Sequence, residues 1–344
     1  MRPWKRGCPG FGNECCRCRD NPPTLVVVST PPDPDSHDVA VIGGGAAGLS
    51  AALVLARARR RVVVIDAGRP RNAPAARMHG FLSRDGTAPA DLLVAGRDEV
   101  ARYGGEVIAD TVTGLMSSGS GRFGVLLDSG RGLAARRLLV TTGLADRVPD
   151  IARAAERWGR DLLHCPYCHG HEVRDQPLAV LGGTPGAAQH AQLVRQWSDD
   201  VVFFPHTTRL TDEQREQLTA RAIGIVEGTV AALVVEEDRL VGVRLDDGRL
   251  VSRSVVFVRP ESTGNNDFVR GLGGRVDEDG WPLVDGTGRT TVDGVWVAGN
   301  ASNPRAQVIT AAGEGSAAAI AINNDLTDED VRDAVVAFRG GPPV

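Results

Sequence analysis

The chain is poor in aromatic residues, 4% of 344, and has a single lysine, Lys5, the other 38 of its 39 basic residues being arginine. The arginine skew reads as a coding bias: 43 acidic residues leave a formal net charge of −4, so there is no cationic excess to meet nucleic-acid phosphates. No nucleic-acid partner is expected. Nor is there any apolar run of the roughly 18 residues that a membrane span needs. The earliest apolar stretch, Leu25 to Val28, is shorter than the ~7–15-residue core of a secretory signal. Neither membrane insertion nor export is expected, and the sequence predicts a cytoplasmic protein. Cysteine is scarce and uneven: Cys8, Cys15, Cys16 and Cys18 crowd the start, while Cys165 and Cys168 stand alone. A secreted disulfide framework would be spread more evenly, and an isolated Cys-x-x-Cys in a reducing compartment is more often catalytic or metal-binding than structural.

Glycine, by contrast, is abundant, 42 of 344 residues, against roughly 7% in average usage. That excess suits tight turns and close backbone approaches. Residues 1–36 carry Pro, Cys, Arg and Asp without periodicity and are predicted to be a disordered extension. Asp38 to Ile42 then reads as a strand, Gly43-Gly44-Gly45 as a turn, an Ala/Leu-rich helix follows to about Arg59, and Val62 to Ile65 is a second strand. This βαβ pattern requires an α/β architecture. A second copy begins at Leu178–Leu181, turns at Gly182 to Gly186, and continues through a helix to about Trp197 and a strand at Val201–Phe204. Gly294 to Asn300 and a helix from about Gln307 to Asn323 read as a return to the first unit. The sequence thus predicts two Rossmann-like (three-layer ββα) domains, the second inserted into the first: 37–147 with 281–335, and 148–280, with a linker after Pro149 and a tail at 336–344.

Gly43-x-Gly45-x-x-Gly48 lies between strand and helix, and Asp66 ends the next strand. Gly43 permits the tight turn, Gly45 lets the backbone approach a pyrophosphate, and Gly48 lets helix pack on strand. The helix N-terminus at Ala46 and Ala47 offers free N–H groups, and Asp66 can accept from ribose hydroxyls. Strand, spacing, helix and acid agree, so dinucleotide binding is expected over an ordinary tight turn.

His164-Cys165-Pro166-Tyr167-Cys168-His169-Gly170-His171 supports three readings. His169 or His171 with the thiols could bind zinc, although the ligands crowd into too short a stretch for good tetrahedral geometry. The thiols could simply pack or pair as a structural disulfide. Or they could be redox-active, a thiol pKa being lowered by a helix N-terminus and neighbouring imidazoles. No metal site is expected overall, and the redox reading is favoured.

Thr141-Thr142-Gly143, Trp296 to Asn300 and Gln307 to Gly315 resemble the flavin-binding signatures of the thioredoxin reductase-like flavoproteins. The order of flavin domain, Cys-x-x-Cys and return to the flavin domain is similar to that of the low-molecular-weight thioredoxin reductases. The resemblance implies FAD as cofactor, contacted by Thr142, Gly143, Gly299, Asn300, Gln307 and Val308 and by Arg71, Asn72 and His79 from the first domain. It also implies a homodimer, with Cys168 next to the flavin and Cys165 exchanging with substrate. The family usually has Asp where this chain has Asn300. His169 stands where the reductases carry an acidic proton donor, and Cys-x-x-Cys-His-Gly is similar instead to the flavin-dependent dithiol oxidases that close disulfides in small natural products. Imidazole, with an ordinary pKa near 6.5, suits a base at neutral pH, which makes His169 the third candidate catalytic residue.

The second glycine turn departs from a nucleotide fingerprint. Thr184 stands where the close-approach glycine belongs, Pro185 removes an N–H, and His206-Thr207-Thr208-Arg209 replaces the basic cluster that holds a 2′-phosphate. NAD(P)H binding is expected to be weak. The sequence therefore favours an FAD-dependent thiol-disulfide oxidoreductase working as a dithiol oxidase, with a small-molecule dithiol as substrate and dioxygen as acceptor. The alternatives are an NADPH-dependent reductase of a thioredoxin-like protein and a non-catalytic flavin redox sensor.

Overall fold

The computed structural model describes residues 36–118 and 121–340. The amino-terminal extension with Cys8, Cys15, Cys16 and Cys18 lies outside the described residues.

The chain opens with β1 (Ser36–Ile42), α1 (Ala46–Arg57) and β2 (Val62–Asp66), then α2 (Pro89–Arg102) and four strands, β3 (Glu106–Ala109), β4 (Val112–Ser117), β5 (Phe123–Leu127) and β6 (Gly132–Val140). Sheet order is β3-β2-β1-β6-β5-β4. β1, β2 and β3 are parallel, as the βαβ pattern demands. β6 changes partner along its length: Gly132 to Ala135 pair antiparallel with β5, and Leu138 to Val140 pair parallel with a late strand, Val295–Val297. That switch peels the β4–β5–β6 meander away as a separate layer and generates the expected three-layer ββα arrangement. β1 and β2 are buried almost throughout, which is why they read as continuous apolar runs rather than alternating ones.

The second unit follows β7 (Leu144–Arg147) and α3 (Ala154–Arg157). It contains β8 (Leu162–Leu163), α4 (Pro166–His169), β9 (Leu178–Leu181), α5 (Ala187–Val194), β10 (Val201–Phe204), α6 (Asp212–Ala220), β11 (Gly224–Ile225), β12 (Val230–Glu236), β13 (Arg239–Leu245), β14 (Leu250–Ser252) and β15 (Val255–Val258). Its parallel sheet runs β11-β10-β9-β15-β8, with β12-β13-β14 as an antiparallel layer beside it. Two cores, one on each face of this sheet, match the two cores of the first unit. β16 (Glu261–Gly264) then pairs antiparallel with β7, so the outgoing and returning crossovers form one two-stranded ribbon. α7 (Asp267–Gly271), β17 (Val295–Val297) and α8 (Val308–Gly340) complete the chain.

Three details differ from the sequence reading. The stretch after Pro149 is not a linker: Ile151 and Ala154 are buried in the second unit's core, and Ala152 bridges to Ala232 on β12. The return to the first unit precedes residue 281, because Val269 on α7 is buried in that unit's core. The last helix ends at Gly340 rather than near Asn323, so residues 336–340 are helical and not a tail. Its distal turns are held by ion pairs, Arg60 and Arg136 to Asp330 at 2.6 Å each and Arg137 to Asp325 at 2.6 Å. Its proximal turns lie tight on α1: a Cβ on Gly315 would stand 2.0 Å from the Ala47 carbonyl oxygen. Only glycine allows that approach, which brings the start of α8 beside the first glycine turn.

Candidate active site

A cleft of about 720 Å³ opens at the carboxyl end of β1 and reaches to the Cys-x-x-Cys segment. This size falls within the ~300–1,000 Å³ range of cofactor sites. Its floor is the first glycine turn. Gly43 has φ +110°, and a Cβ there would meet the Thr141 carbonyl at 2.5 Å; one on Gly48 would meet the Gly43 carbonyl at 2.0 Å. Both glycines are required by the protein's own backbone. Gly45 is different: a Cβ there would touch nothing within 4 Å, so its missing side chain leaves open space on the cleft side. The N–H groups of Gly44, Gly45 and Ala46 have no acceptor among the described residues. Orphan donors at a helix N-terminus over an open cradle are what a dinucleotide pyrophosphate requires, and the residues fit FAD here. Asp66 is held by the Arg97 guanidinium at 2.8 Å and by the Gly68 N–H at 3.1 Å.

On the far side, Thr141 Oγ1 donates to the carbonyls of Ile42 and Gly43. Thr142 and Asn265 tie the start of β7 to the end of β16, Thr142 Oγ1 donating to the Asn265 carbonyl at 2.9 Å and Asn265 Nδ2 to the Thr142 carbonyl at 3.0 Å. Asn300 donates both amide hydrogens to its own loop, to the carbonyls of Asn303 at 2.9 Å and Ala306 at 3.0 Å. An aspartate has no donor for those two carbonyls, which gives a physical reason for the amide, and its Oδ1 remains available to a cofactor hydroxyl. Glu314 accepts from the Gly299 N–H and from Asn303 Nδ2, fixing this loop to α8.

At the opposite end lies the redox motif. Cys165 caps the single turn of α4, with Pro166 at its first position, and the Cys168 N–H points at Cys165 Sγ at 3.1 Å. The two sulfurs form a disulfide, with Cα atoms 5.2 Å apart. Cys168 lines the cleft and Cys165 does not; His169 lines it beside Cys168. Burial pushes the His169 imidazole below its usual 6.5, with Glu172 opposing that shift, so the ring is neutral at pH 7 and able to accept a proton. His164 stacks on Trp158 with ring centroids 5.5 Å apart. Burial, and then the Arg71 charge, lower its pKa to about 4. Arg71 itself makes a bidentate pair with the buried Asp146, at 2.6 and 2.9 Å, and touches His164 Nε2 at 3.2 Å. His79 lies between two carboxylates, Nδ1 3.3 Å from Asp85 and Nε2 3.5 Å from Glu172.

The second glycine turn is built differently. Gly182 N–H donates to the Phe204 carbonyl just as Gly43 N–H does to the Ile65 carbonyl, but Gly183 N–H donates to Thr208 Oγ1 at 2.7 Å, and Thr184 Oγ1 donates to the Arg259 carbonyl at 2.8 Å. The Arg259 guanidinium lies against the turn, where a Cβ on Gly186 would be 2.1 Å from its Nη1. His206 Nδ1 accepts from the Val230 N–H at 3.0 Å, and burial lowers its pKa.

The structure thus brings Gly43, Gly45, Ala46, Ala47, Asp66, Arg71, Asn72, His79, Thr142, Gly143, Gly299, Asn300, Gln307, Val308, Cys168 and His169 to one cleft. Gly48 and Cys165 stand behind it. Sequence reasoning missed Arg97, Asp146, Glu172, Arg259 and Glu314. Glu314 lay within a flavin-like segment and Glu172 only three residues beyond His169, but nothing local marks Arg97 or Arg259. Among the described residues, no group of His, Cys, Asp and Glu is placed to hold a metal ion, and no helix is long and apolar enough to cross a membrane.

A family model described as pyridine nucleotide-disulphide oxidoreductase matches residues 37–315. "Thioredoxin reductase sirT" of Leptosphaeria maculans is 31% identical over 320 residues, 87% of this chain and 97% of its own length. Of solved structures, the crystal structure of HlmI is 55% identical with a TM-score of 0.87, over 89% of this chain and 97% of that one. That of a putative thioredoxin reductase TrxB from Bacillus anthracis is 33% identical with a TM-score of 0.82, over 86% and 99%. Membership carries with it an oxidoreductase activity and the use of a flavin and a nicotinamide cofactor in the family at large. Fold, disulfide and matches agree: this chain belongs to the pyridine nucleotide-disulphide oxidoreductases, as a thioredoxin reductase-like enzyme.

Proposed function

We propose that the protein is an FAD-dependent dithiol oxidase, in which Cys165 and Cys168 take two electrons from a small-molecule dithiol and dioxygen is the final acceptor. The observation that carries this reading is the second glycine turn. Its close-approach position is Thr184, the Gly183 N–H that matches the orphan Gly44 N–H is taken by Thr208 Oγ1, and the Arg259 guanidinium lies against Gly186. As built, the turn does not fit NAD(P)H, and Arg209 alone supplies a permanent cation in the segment that would meet a 2′-phosphate. Losing two charged hydrogen bonds at about 1.5–3 kcal/mol each weakens binding by some two to four decades.

The steps follow from the chain's own residues. A substrate thiol gives its proton to neutral His169, and the thiolate attacks Cys165 Sγ. The Cys165–Cys168 bond breaks and Cys168 departs as a thiolate on the cleft side. The second substrate thiol attacks the substrate sulfur of the mixed disulfide, its proton passing to the departing Cys165 sulfur, so the substrate disulfide leaves and Cys165 is freed as a thiol. The pair has gained two electrons and the substrate has lost two. The Gly43–Gly48 turn, Asp66 and Asn300 would hold FAD, which would supply the two-electron acceptor for the Cys165/Cys168 dithiol, with dioxygen as the final acceptor.

Anaerobic mixing tests the reading. The flavin absorbance should bleach with a dithiol such as dithiothreitol and persist with NADPH or NADH. Bleaching by NADPH with no response to the dithiol would establish the alternative, an NADPH-dependent disulfide reductase.

A further inference from the structure

The loop between β2 and α2 is where the first unit grips the segment that carries the cysteines. A Cβ on Gly159, shortly before that segment, would stand 2.6 Å from the Pro74 Cβ, so the two backbones are packed together there. Earlier in the same loop Arg71 makes the polar counterpart of that contact. Its Nε and Nη2 bond the Asp146 carboxylate at 2.6 and 2.9 Å, and Nη2 also lies 3.2 Å from His164 Nε2. Asp146, its side chain 4% exposed, is pinned in turn by Ser262 Oγ at 2.7 Å. We propose that Arg71 is a positioning residue for the cysteine pair, acting through His164 to hold Cys168 at the flavin cleft.

A guanidinium has donors and no acceptor, so His164 Nε2 must accept, which leaves that ring neutral with its proton on Nδ1. The imidazole is fixed twice, by Arg71 at its edge and by the Trp158 indole stacked on its face. Its backbone runs directly into Cys165, and the single turn from Pro166 to His169 carries Cys168. Arg71 thus joins three parts of the molecule: the loop of the flavin-binding unit, the β7–β16 ribbon between the units, and the residue before the exchanging sulfur. Its Nε and Nη2 are committed to protein acceptors, which separates this role from a contact with the cofactor. The assignment rests on the flavin and cysteine part of the proposed function and not on the direction of electron flow. In the step it serves, the Cys165–Cys168 bond re-forms, two electrons pass to the flavin, and the thiol protons pass to the flavin and water. Misplacing a reacting atom by about 1 Å can slow such a step about 10²-fold.

Arg71→Lys tests this, because it keeps a cation for the buried Asp146 but lacks the planar fork that serves Asp146 and His164 together. Holoenzyme is mixed anaerobically with dithiothreitol and two rates are followed, loss of the Cys165–Cys168 disulfide by quenching and alkylation, and bleaching of the flavin. Arg71→Lys should keep its flavin and lose the disulfide within about twofold of the wild-type rate, while bleaching slows about tenfold and the reduced pair accumulates ahead of it. His164→Phe keeps a ring for Trp158 without the acceptor and should slow bleaching as much, and the two changes together should cost no more than either. In ¹⁵N-imidazole NMR spectra, His164 should be the Nδ1–H tautomer in the wild type and lose that preference in Arg71→Lys. Should Arg71→Lys not fold, Arg71→Met with Asp146→Leu removes both buried charges as a pair, which such sites tolerate, and is read in the same way. Loss of flavin from the folded variant would make Arg71 a cofactor contact and overturn the assignment, as would unchanged bleaching, equal slowing of both rates, or additive losses. If NADPH rather than dithiothreitol bleaches the wild-type flavin, the oxidase reading falls, and the Arg71 assignment stands only if reduction of the disulfide by the reduced flavin is slowed instead.

Discussion

The two glycine turns sit at equivalent places in two similar sheets, yet one is open and the other filled. In the first, every glycine that must be glycine for backbone reasons points inward, and Gly45 alone faces empty space. In the second, the Arg259 guanidinium lies against Gly186 and the Thr184 hydroxyl is bonded to the Arg259 carbonyl. A Rossmann-like turn is thus compatible with binding and with its loss. The two turns differ in backbone path as well as in side chains: the positive φ falls at Gly43 in the first, but at Gly183 and Gly186 in the second, where the helix begins only at Ala187. In the oxidase reading we propose, this asymmetry divides the electron path into a flavin side that is used and a nicotinamide side that is not.

Matched substitutions break the comparison most directly. Gly45→Asp puts a carboxylate over the orphan N–H groups, where like-charge juxtaposition with a pyrophosphate costs several kcal/mol. The purified variant should be colourless and inactive. Thr184→Asp makes the equivalent change in the second turn and should leave flavin content and dithiol turnover within about twofold. Equal losses in the two variants would show that both turns bind nucleotide.

His169→Asn comes next in size. It removes the base while keeping a neutral polar side chain, and dithiol-driven bleaching should fall by about 10²–10⁴ with flavin content unchanged. Because burial lowers the His169 pKa below 6.5, the competent neutral form is present above that pH and is lost as pH falls through the lowered value. The wild-type rate should therefore be flat above pH 6.5 and decline only in more acidic solution, a limb absent from His169→Asn.

Opening the second turn with Arg259→Ala and Thr184→Gly together gives a smaller effect. The close-approach position is restored and the guanidinium removed, but Pro185 still lacks an N–H and no basic cluster is added. NADPH-driven bleaching should rise by about tenfold at most over the wild-type background. A rise to the dithiol-driven rate would mean that Arg259 is a removable plug on an otherwise intact site.

The first turn was legible because its determinants are neighbours: Gly43, Gly45 and Gly48 act on one another and on the helix they start, so spacing alone carries the geometry. The same holds for Cys165-x-x-Cys168, where one helical turn closes the pair. Arg259 was invisible for the opposite reason. It reaches the second turn from the end of β15, and no periodicity links the two segments. The extent of α8 was misjudged because burial, the signal that sequence patterning reads, stops near Leu326, while the next turn beyond it is held by Arg60 and Arg136 on Asp330 and by Arg137 on Glu329, from distant strands and loops. Asp146 escaped notice for a related reason: β7 and β16 join only in three dimensions, and Arg71 finds its partner across that ribbon.

The smallest expected effect concerns the loop that closes the flavin side. Asn300 is the point where this chain departs from the aspartate usual in similar flavoproteins, and its two donated hydrogen bonds, to Asn303 and Ala306, show what the amide does here. Asn300→Asp leaves two carbonyls facing a carboxylate, at a cost of about 1–3 kcal/mol, or a few degrees in Tm for a chain of this size. The acceptor Oδ1 survives the change, so flavin should still bind, with a dissociation rate raised no more than about tenfold. Thermal unfolding of the holoprotein and flavin release after dilution check both numbers. A variant as stable as the wild type would mean that the loop rearranges and that the amide was not what fixed it, leaving the first glycine turn to account for flavin retention by itself.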